Sequence, residues 1–94
     1  MYTVIAKFWV KQDNQKAFKD LANKLGAISN EEEDVIIYQL HEDTTDPERF
    51  ATIEVYKEKA SHTFHADTPH VKELFPQMCA LCAEEPIIEF YAEI

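Results

Sequence analysis

The order of two hydrophobic periodicities along the chain restricts its possible folds more than any other feature. Segments rich in β-branched and aromatic residues predict four strands, at about residues 2–11, 34–42, 49–56 and 86–93. Apolar residues at helical spacing predict a helix over about 14–26 and a second helical region from about Lys59. The order βαββαβ, joined by unknotted right-handed crossovers, predicts an α+β, ferredoxin-like fold with the helices on one face of an antiparallel sheet.

Several residues mark the expected ends of the helices. Asp13 is predicted to cap the first helix, and Gly26, the only glycine, is predicted to end it in the left-handed conformation. Thr68 and Pro69 form an N-cap followed by a first-turn proline, so they predict the start of a further helix. Pro76 predicts a kink or a new turn, because proline cannot donate the hydrogen bond of a helix interior.

Length and charge exclude several classes of protein. With 94 residues the chain fits one domain over residues 1–94, and its modest core favours support from a partner subunit. The formal net charge is −9, so nucleic-acid binding is not expected. The acidic run at 31–34 is interpreted as a solvated loop.

The predicted location is the cytoplasm. The first residues are typical of a strand and not of a signal peptide, and no apolar stretch is long enough to span a membrane. Cys79 and Cys82 are the only cysteines, which fits a reducing compartment. Their C-x-x-C spacing lies late in a helix and has no second pair, so we interpret them as buried thiols facing the sheet.

Alternation in the last two strands predicts which side chains face the helices. The aliphatic sets expected there are Ala51, Ile53, Val55, Ile88, Phe90, Ala92 and Ile94. The opposite face has Glu54, Tyr56 and Tyr91, joined by either Phe8 or Trp9 of the first strand. Because an uncovered aromatic face is a liability, we expect a homodimer whose two sheets face each other and enclose a cavity.

Four segments, taken in order, form a recognisable pattern. They are residues 4–11 leading into a helix, Tyr38–Asp43 with Asp46-Pro47, Glu54-Val-Tyr56 followed by Ala60 and His65, and Thr68-Pro69-His70. Over nearly its whole length the chain thereby resembles the antibiotic biosynthesis monooxygenase superfamily, the small dimeric α+β barrel domains. One departure is the segment 29–33, which replaces a glycine that members often have at the entry to strand two.

The resemblance implies a choice among several activities. Members include cofactor-free oxygenases of quinols and polycyclic phenols, haem-degrading enzymes, an isomerase of a phosphorylated sugar and proteins without known activity. Haem degradation is disfavoured, because that branch has an asparagine on strand one and a tryptophan on strand three. This chain has Lys7-Phe8 and Tyr56 at those places, and the tyrosine also departs from oxygenases with tryptophan there.

A cofactor-free oxygenase needs a base that forms an electron-rich anion, a dry pocket and hydrogen-bond donors. By its position in the family pattern His65 is the candidate base, and Glu54 either orients it or takes a proton itself. The candidates for substrate binding are Tyr56, Tyr91, Trp9 and Phe8. Structural roles remain as alternatives: His65 capping a backbone carbonyl, Glu54 pairing with a lysine or arginine, and the tyrosines packing between subunits.

The histidines between strand three and the last helix raise the question of a metal. His62 and His65 share a helix face, which is one element of a metal site. Further ligands would have to come from His70, Glu58 or His41, which have no recognised spacing, so no metal is predicted. We expect His62 to be solvated and His70 to lie in the first turn of the next helix, with a place at the rim of a pocket as its alternative.

Together with the candidate residues, the resemblance implies a homodimeric, cofactor-independent monooxygenase-like enzyme acting on a small aromatic or quinol molecule. Two alternatives stay open. One is an isomerase or tautomerase of a small carbonyl compound, which needs an acid and a base but no oxygen. The other is a non-catalytic dimeric module that binds a small ligand or a partner protein.

Overall fold

A computed structural model describes residues 1–94 as one antiparallel sheet with helices on one face. The elements are β1 (Tyr2–Trp9), α1 (Gln12–Ser29), β2 (Val35–Glu42), β3 (Arg49–Tyr56), α2 (Lys59–Ala66), α3 (Pro69–Ala80) and β4 (Ile87–Ala92). The strand order is β2-β3-β1-β4. The predicted ferredoxin-like fold is therefore confirmed. No helix combines the length and apolar character needed to cross a membrane.

Helix α1 is longer at both ends than its sequence signals predict. Lys11 is the N-cap residue, and Asp13 lies inside the first turn, where its carboxylate faces the positive end of the helix dipole. Gly26 is helical and has no positive φ, so its predicted role as a left-handed cap is wrong. A Cβ at Gly26 would lie 3.4 Å from Cδ1 of Tyr38, which leaves room for a methyl group and little more. Gly26 thus lies where α1 packs on β2.

The junction between α2 and α3 is fixed by Thr68. Its hydroxyl donates to the carbonyl of His65 at 2.7 Å and accepts from the backbone N–H of Val71 at 3.5 Å. The predicted N-cap with Pro69 in the first turn is confirmed, and α3 continues through Pro76. Because one hydroxyl joins the end of α2 to the start of α3, the histidines on both sides of the junction are held in place.

The face of β3 that packs against the helices is the polar and aromatic one. Its buried side chains are Phe50, Thr52, Glu54 and Tyr56. They stand opposite the core residues of β1, with Glu54 in register with Val4 and Thr52 with Ala6. The prediction that residues 51, 53 and 55 face the helices is therefore wrong. The inner face is the one in register with the core residues of β1, and the hydroxyls beside Glu54 satisfy its carboxylate there.

The outer face of the sheet, away from the helices, is largely apolar. Its centre is Ile5, which stands in register with Ile53 on one side and Glu89 on the other. Glu89 is paired within the chain, since Nζ of Lys7 lies 3.2 Å from its carboxylate. Tyr91 lies on this face as well, opposite Thr3, and is half exposed. The outer face thus presents apolar and aromatic side chains to solvent with its central charges already neutralised.

Candidate active site

A cavity of about 250 Å³ lies within one chain, between the sheet and helices α2 and α3. Its walls are mainly apolar, and its polar lining comes from Tyr38, Glu54, His62 and His65. On β4, Ile88 and Phe90 close one side, so their predicted orientation toward the helices is confirmed. A cavity of roughly 150 Å³ admits benzene. The space therefore suits one substituted aromatic ring.

Glu54 lies on the sheet side of the cavity and is only 5% exposed. Its Oε1 accepts from the hydroxyl of Tyr56 at 2.5 Å, and its Oε2 accepts from the hydroxyl of Thr52 at 2.7 Å. Glu54 is therefore paired with two hydroxyl groups and not with a lysine or arginine, which was the alternative prediction. Burial raises the pKa of Glu54 to about 7, and the two hydroxyl donors oppose it only partly. Glu54 can therefore hold or release a proton near neutrality.

The two buried tyrosines near Glu54 act only as protonated donors. Burial is the main cause that raises the pKa of Tyr56 and of Tyr38 far above the usual range, and the Glu54 carboxylate adds to it. Tyr56 is completely buried beneath the cavity, whereas Tyr38 lines it directly. Tyr56 therefore positions Glu54, and Tyr38 is the tyrosine that a bound molecule meets.

His65 lies on the helix side of the cavity, in the last turn of α2, and is 4% exposed. Its Nδ1 lies 2.8 Å from Oε2 of Glu32. Because a carboxylate only accepts, this contact assigns the proton to Nδ1 and leaves Nε2 unprotonated. Burial lowers the pKa of His65, although hydrogen bonding to Glu32 acts in the opposite direction. The result is a neutral imidazole with Nε2 free to accept a proton.

Glu32 is the site residue that the sequence analysis missed. Its side chain is only 11% exposed, and its Oε2 also lies 2.8 Å from Nε2 of His70. The loop after α1 folds back on α2, where the hydroxyl of Ser61 donates to Oδ2 of Asp34 at 3.1 Å. The interpretation of the acidic run as wholly solvated is therefore corrected for Glu32. The histidine cluster was the sequence feature that indicated such a residue, because two imidazoles near a helix junction need a hydrogen-bond acceptor.

The side chains of His62 and His70 both make contacts within the fold. The ring centroid of His62 lies 5.0 Å from that of Tyr56 and 5.6 Å from that of Phe90, so His62 lines the cavity and is not solvated as expected. Burial lowers the pKa of His62, and so does the nearby His65. His70 lies in the first turn of α3, as predicted, and contacts Glu32.

None of the four predicted binding residues lines this cavity. Tyr56 is buried beneath it, and the other three lie elsewhere. Tyr91 and Trp9 lie on the outer face of the sheet, where the guanidinium of Arg49 is 5.2 Å from the Trp9 ring centroid. Phe8 is fully buried in the core, with its ring 5.1 Å from that of Phe18. The expected pocket between two facing sheets is thus corrected to a cavity between the sheet and the helices of one chain. Side chains on opposite faces of one strand cannot meet in the same cavity.

The cysteines lie outside the candidate site. Cys79 and Cys82 are free and half buried near the end of α3, and the thiol of Cys82 donates to the carbonyl of Met78. Burial raises the pKa of both thiols, to about 11 for Cys82. A raised pKa suppresses the thiolate needed for redox or metal chemistry. This agrees with their interpretation as packing residues.

The cavity therefore combines a neutral base on one wall with a carboxyl group that titrates near neutrality on the other. His65 can take a proton from a bound molecule, and protonated Glu54 can return one. The mainly apolar walls lower the local dielectric constant and so strengthen both polar interactions. Such a pair suits reactions that begin with removal of a weakly acidic proton.

Comparisons with known proteins agree with the architecture. The sequence model of a family described as antibiotic biosynthesis monooxygenase matches residues 1–77. A conserved protein from Methanosarcina mazei Go1 is similar in structure, with a TM-score of 0.96 and 28% identity over 99% of this chain and 92% of that one. A Nitrosomonas europaea protein bearing the family's name has a TM-score of 0.92 and 26% identity, covering 100% and 99% of the two chains. Among curated proteins, no match was found.

Proposed function

Because this chain belongs to the antibiotic biosynthesis monooxygenase family, we propose that it is a cofactor-independent monooxygenase of a small phenol or hydroquinone. One observation supports this most: His65 and Glu54 line the same apolar cavity, with His65 held as a neutral base by Glu32. The cavity volume of about 250 Å³ fits a single-ring substrate better than a polycyclic one.

The reaction begins with transfer of the phenolic proton to Nε2 of His65. The resulting anion is electron-rich enough to react with O₂ directly, and the apolar walls exclude water from it. For a hydroquinone, one oxygen atom becomes a ring hydroxyl and the other leaves as water, while both original hydroxyls become carbonyls. The substrate thus supplies all four electrons that O₂ accepts, and no external reductant is needed.

Glu54 is the proton donor in this scheme. With a pKa raised to about 7 it is largely protonated just below neutrality, and its proton can go to the oxygen atom that leaves as water. Tyr38 lines the same cavity, and we assign it to orienting the substrate. His65, Glu54 and Tyr38 have separate roles, so replacing each of them should affect a different step of the reaction.

The decisive experiment measures oxygen uptake with a substituted hydroquinone, with a chelator present and no flavin added. His65→Asn should lower turnover by about 10² to 10⁴, the usual contribution of a general base. His41→Asn is the matched control, since His41 is exposed on β2 and does not line the cavity. Equal turnover in both variants would remove His65 from the mechanism.

A homodimer is proposed as the functional assembly. The outer sheet face exposes apolar side chains around Ile5 and Ile53, with Tyr91 at its edge. A second copy placed face to face would cover this surface at the usual spacing of about 10 Å between packed sheets. The cavity lies on the other face, so each subunit has its own complete site.

An isomerase or tautomerase of a small carbonyl compound is the second candidate. The same pair supports it, because moving a proton between two carbon atoms also needs a base and an acid on different walls. The two functions differ in their need for oxygen. Turnover of an enolisable ketone under argon, abolished in Glu54→Gln, would favour the isomerase, while turnover that stops without O₂ favours the oxygenase.

A further inference from the structure

Glu32, His65 and His70 form a cluster of ligand-type side chains from three separate parts of the fold. Glu32 comes from the loop after α1, His65 from the last turn of α2 and His70 from the first turn of α3. One ligand atom from each lies within 4.8 Å of the others. The sequence predicts no metal site, because the separation of Glu32 from the histidines along the chain hides this arrangement.

The geometry of the cluster is close to that of a metal site. Both ring nitrogens lie 2.8 Å from one carboxylate oxygen. Atoms that bind one ion at about 2.0 to 2.2 Å in tetrahedral geometry are roughly 3.3 to 3.6 Å apart. The N–O distances would have to lengthen, and the two ring nitrogens, which lie within 4.8 Å of each other, would have to move by up to about 1 Å in total to surround an ion. The ion would replace the two protons that now point at the same oxygen.

The surroundings favour a cation and hold the ligands in place. The side of Glu32 toward solvent opens into a surface pocket of about 380 Å³ that is also lined by Glu33, Asp34 and Glu58. These carboxylates attract cations toward the cluster. The Thr68 hydroxyl fixes the end of α2 through the His65 carbonyl, so the ligands are held before any ion arrives.

We propose that Glu32, His65 and His70 bind one divalent first-row transition-metal ion per chain, with Zn²⁺ as the best match to two imidazoles and one carboxylate. Three protein ligands leave one position for water, as in zinc sites that are not purely structural. The ion takes Nδ1 of His65, so its remaining proton lies on Nε2. A metal-loaded chain therefore lacks the proton acceptor that the proposed oxygenase uses. Metal binding is thus a separate property from the proposed function.

Calorimetric titration of the full chain with Zn²⁺ tests the proposal, and Co²⁺ absorption bands report the ligand geometry. The wild-type protein should bind one ion per chain, and His70→Asn and Glu32→Gln should each weaken binding at least tenfold. The matched controls His41→Asn and Glu31→Gln remove an exposed histidine and an exposed carboxylate, and should change affinity less than twofold.

Replacing His70 carries less risk of unfolding the chain than replacing the other two residues of the cluster. His70 is partly exposed on a helix end, so His70→Asn should stay folded even if Glu32→Gln does not. Saturating Zn²⁺ should raise the melting temperature of the wild-type protein and not that of His70→Asn, because only a folded site binds the ion. Absence of binding at millimolar Zn²⁺, or equal affinity of His70→Asn and the wild type, would overturn the proposal. Loss of binding in Glu31→Gln to the same extent would assign the ion to the acidic loop instead.

Discussion

The hydroxyl of Tyr56 donates to Oε1 of Glu54 at 2.5 Å, from a position two residues further along the same face of β3. Tyr56 is completely buried, so this donor is fixed and cannot turn to water. A second hydroxyl, from Thr52, holds the other carboxylate oxygen. One strand thus supplies both a buried acid and the donors that make its burial tolerable.

The first prediction concerns the pH dependence of stability. Burial raises the pKa of Glu54 from 4.5 in its ordinary state to about 7, so the folded chain binds more protons than the unfolded chain between these values. Stability contributed by protonated Glu54 is complete below pH 4.5 and is lost as the pH rises toward 7, by about 3 kcal/mol in all. Urea unfolding of the wild type and Glu54→Gln from pH 4 to 8 should show this loss only in the wild type.

A control carboxylate separates this effect from the general titration of the protein. Glu48→Gln removes an exposed carboxylate and should keep the wild-type pH dependence. Parallel stability curves for the wild type and Glu54→Gln would mean that Glu54 stays ionised in the folded chain.

The second prediction concerns the pH dependence of turnover. If protonated Glu54 is the proton donor, kcat should fall as the pH rises through about 7. Tyr38 and Tyr56 do not titrate in this range, because burial raises the pKa of both. Glu54→Gln should be slower and should lack the fall near pH 7. A wild-type profile that instead rises through pH 7 would identify Glu54 as a base.

The third prediction tests the close approach of α1 to β2 at Gly26. An added Cβ would lie 3.4 Å from the Tyr38 ring and 3.5 Å from its carbonyl oxygen, which is ordinary contact. Gly26→Ala should therefore raise the free energy of unfolding by about 0.5 to 1 kcal/mol through helix propensity. Gly26→Leu should lower it by about 1 to 3 kcal/mol, because the larger side chain must displace Tyr38. Chemical unfolding measures both, and a stabilised Gly26→Leu would contradict the packing argument.

The order of strands and helices was easier to predict from the sequence than the direction in which the side chains of each strand face. Strand and helix order follow from periodicity, and the cap at Thr68 follows from local chemistry, so both were predictable. The inner face of β3 was not, because a strand in the middle of a sheet shows two plausible faces and the choice depends on register with β1. His65 and Glu54 were chosen as candidates through the family pattern. Glu32 was not, because it is 33 residues from His65 and meets it only through the folding of a loop.

The last prediction tests the outer face of the sheet as a subunit interface. Ile53 lies at its centre, in register with Ile5, and would be covered by a second copy. Ile53→Glu would bury an unpaired carboxylate there, at a cost of about 3 kcal/mol or more, so the dimer dissociation constant should rise at least about a hundredfold. Phe64→Glu makes the same kind of change at a 70% exposed position on α2 and should leave the association unchanged. Sedimentation velocity should therefore show a monomer for Ile53→Glu and a dimer for both the wild type and Phe64→Glu, whereas a monomeric wild type would contradict the assembly.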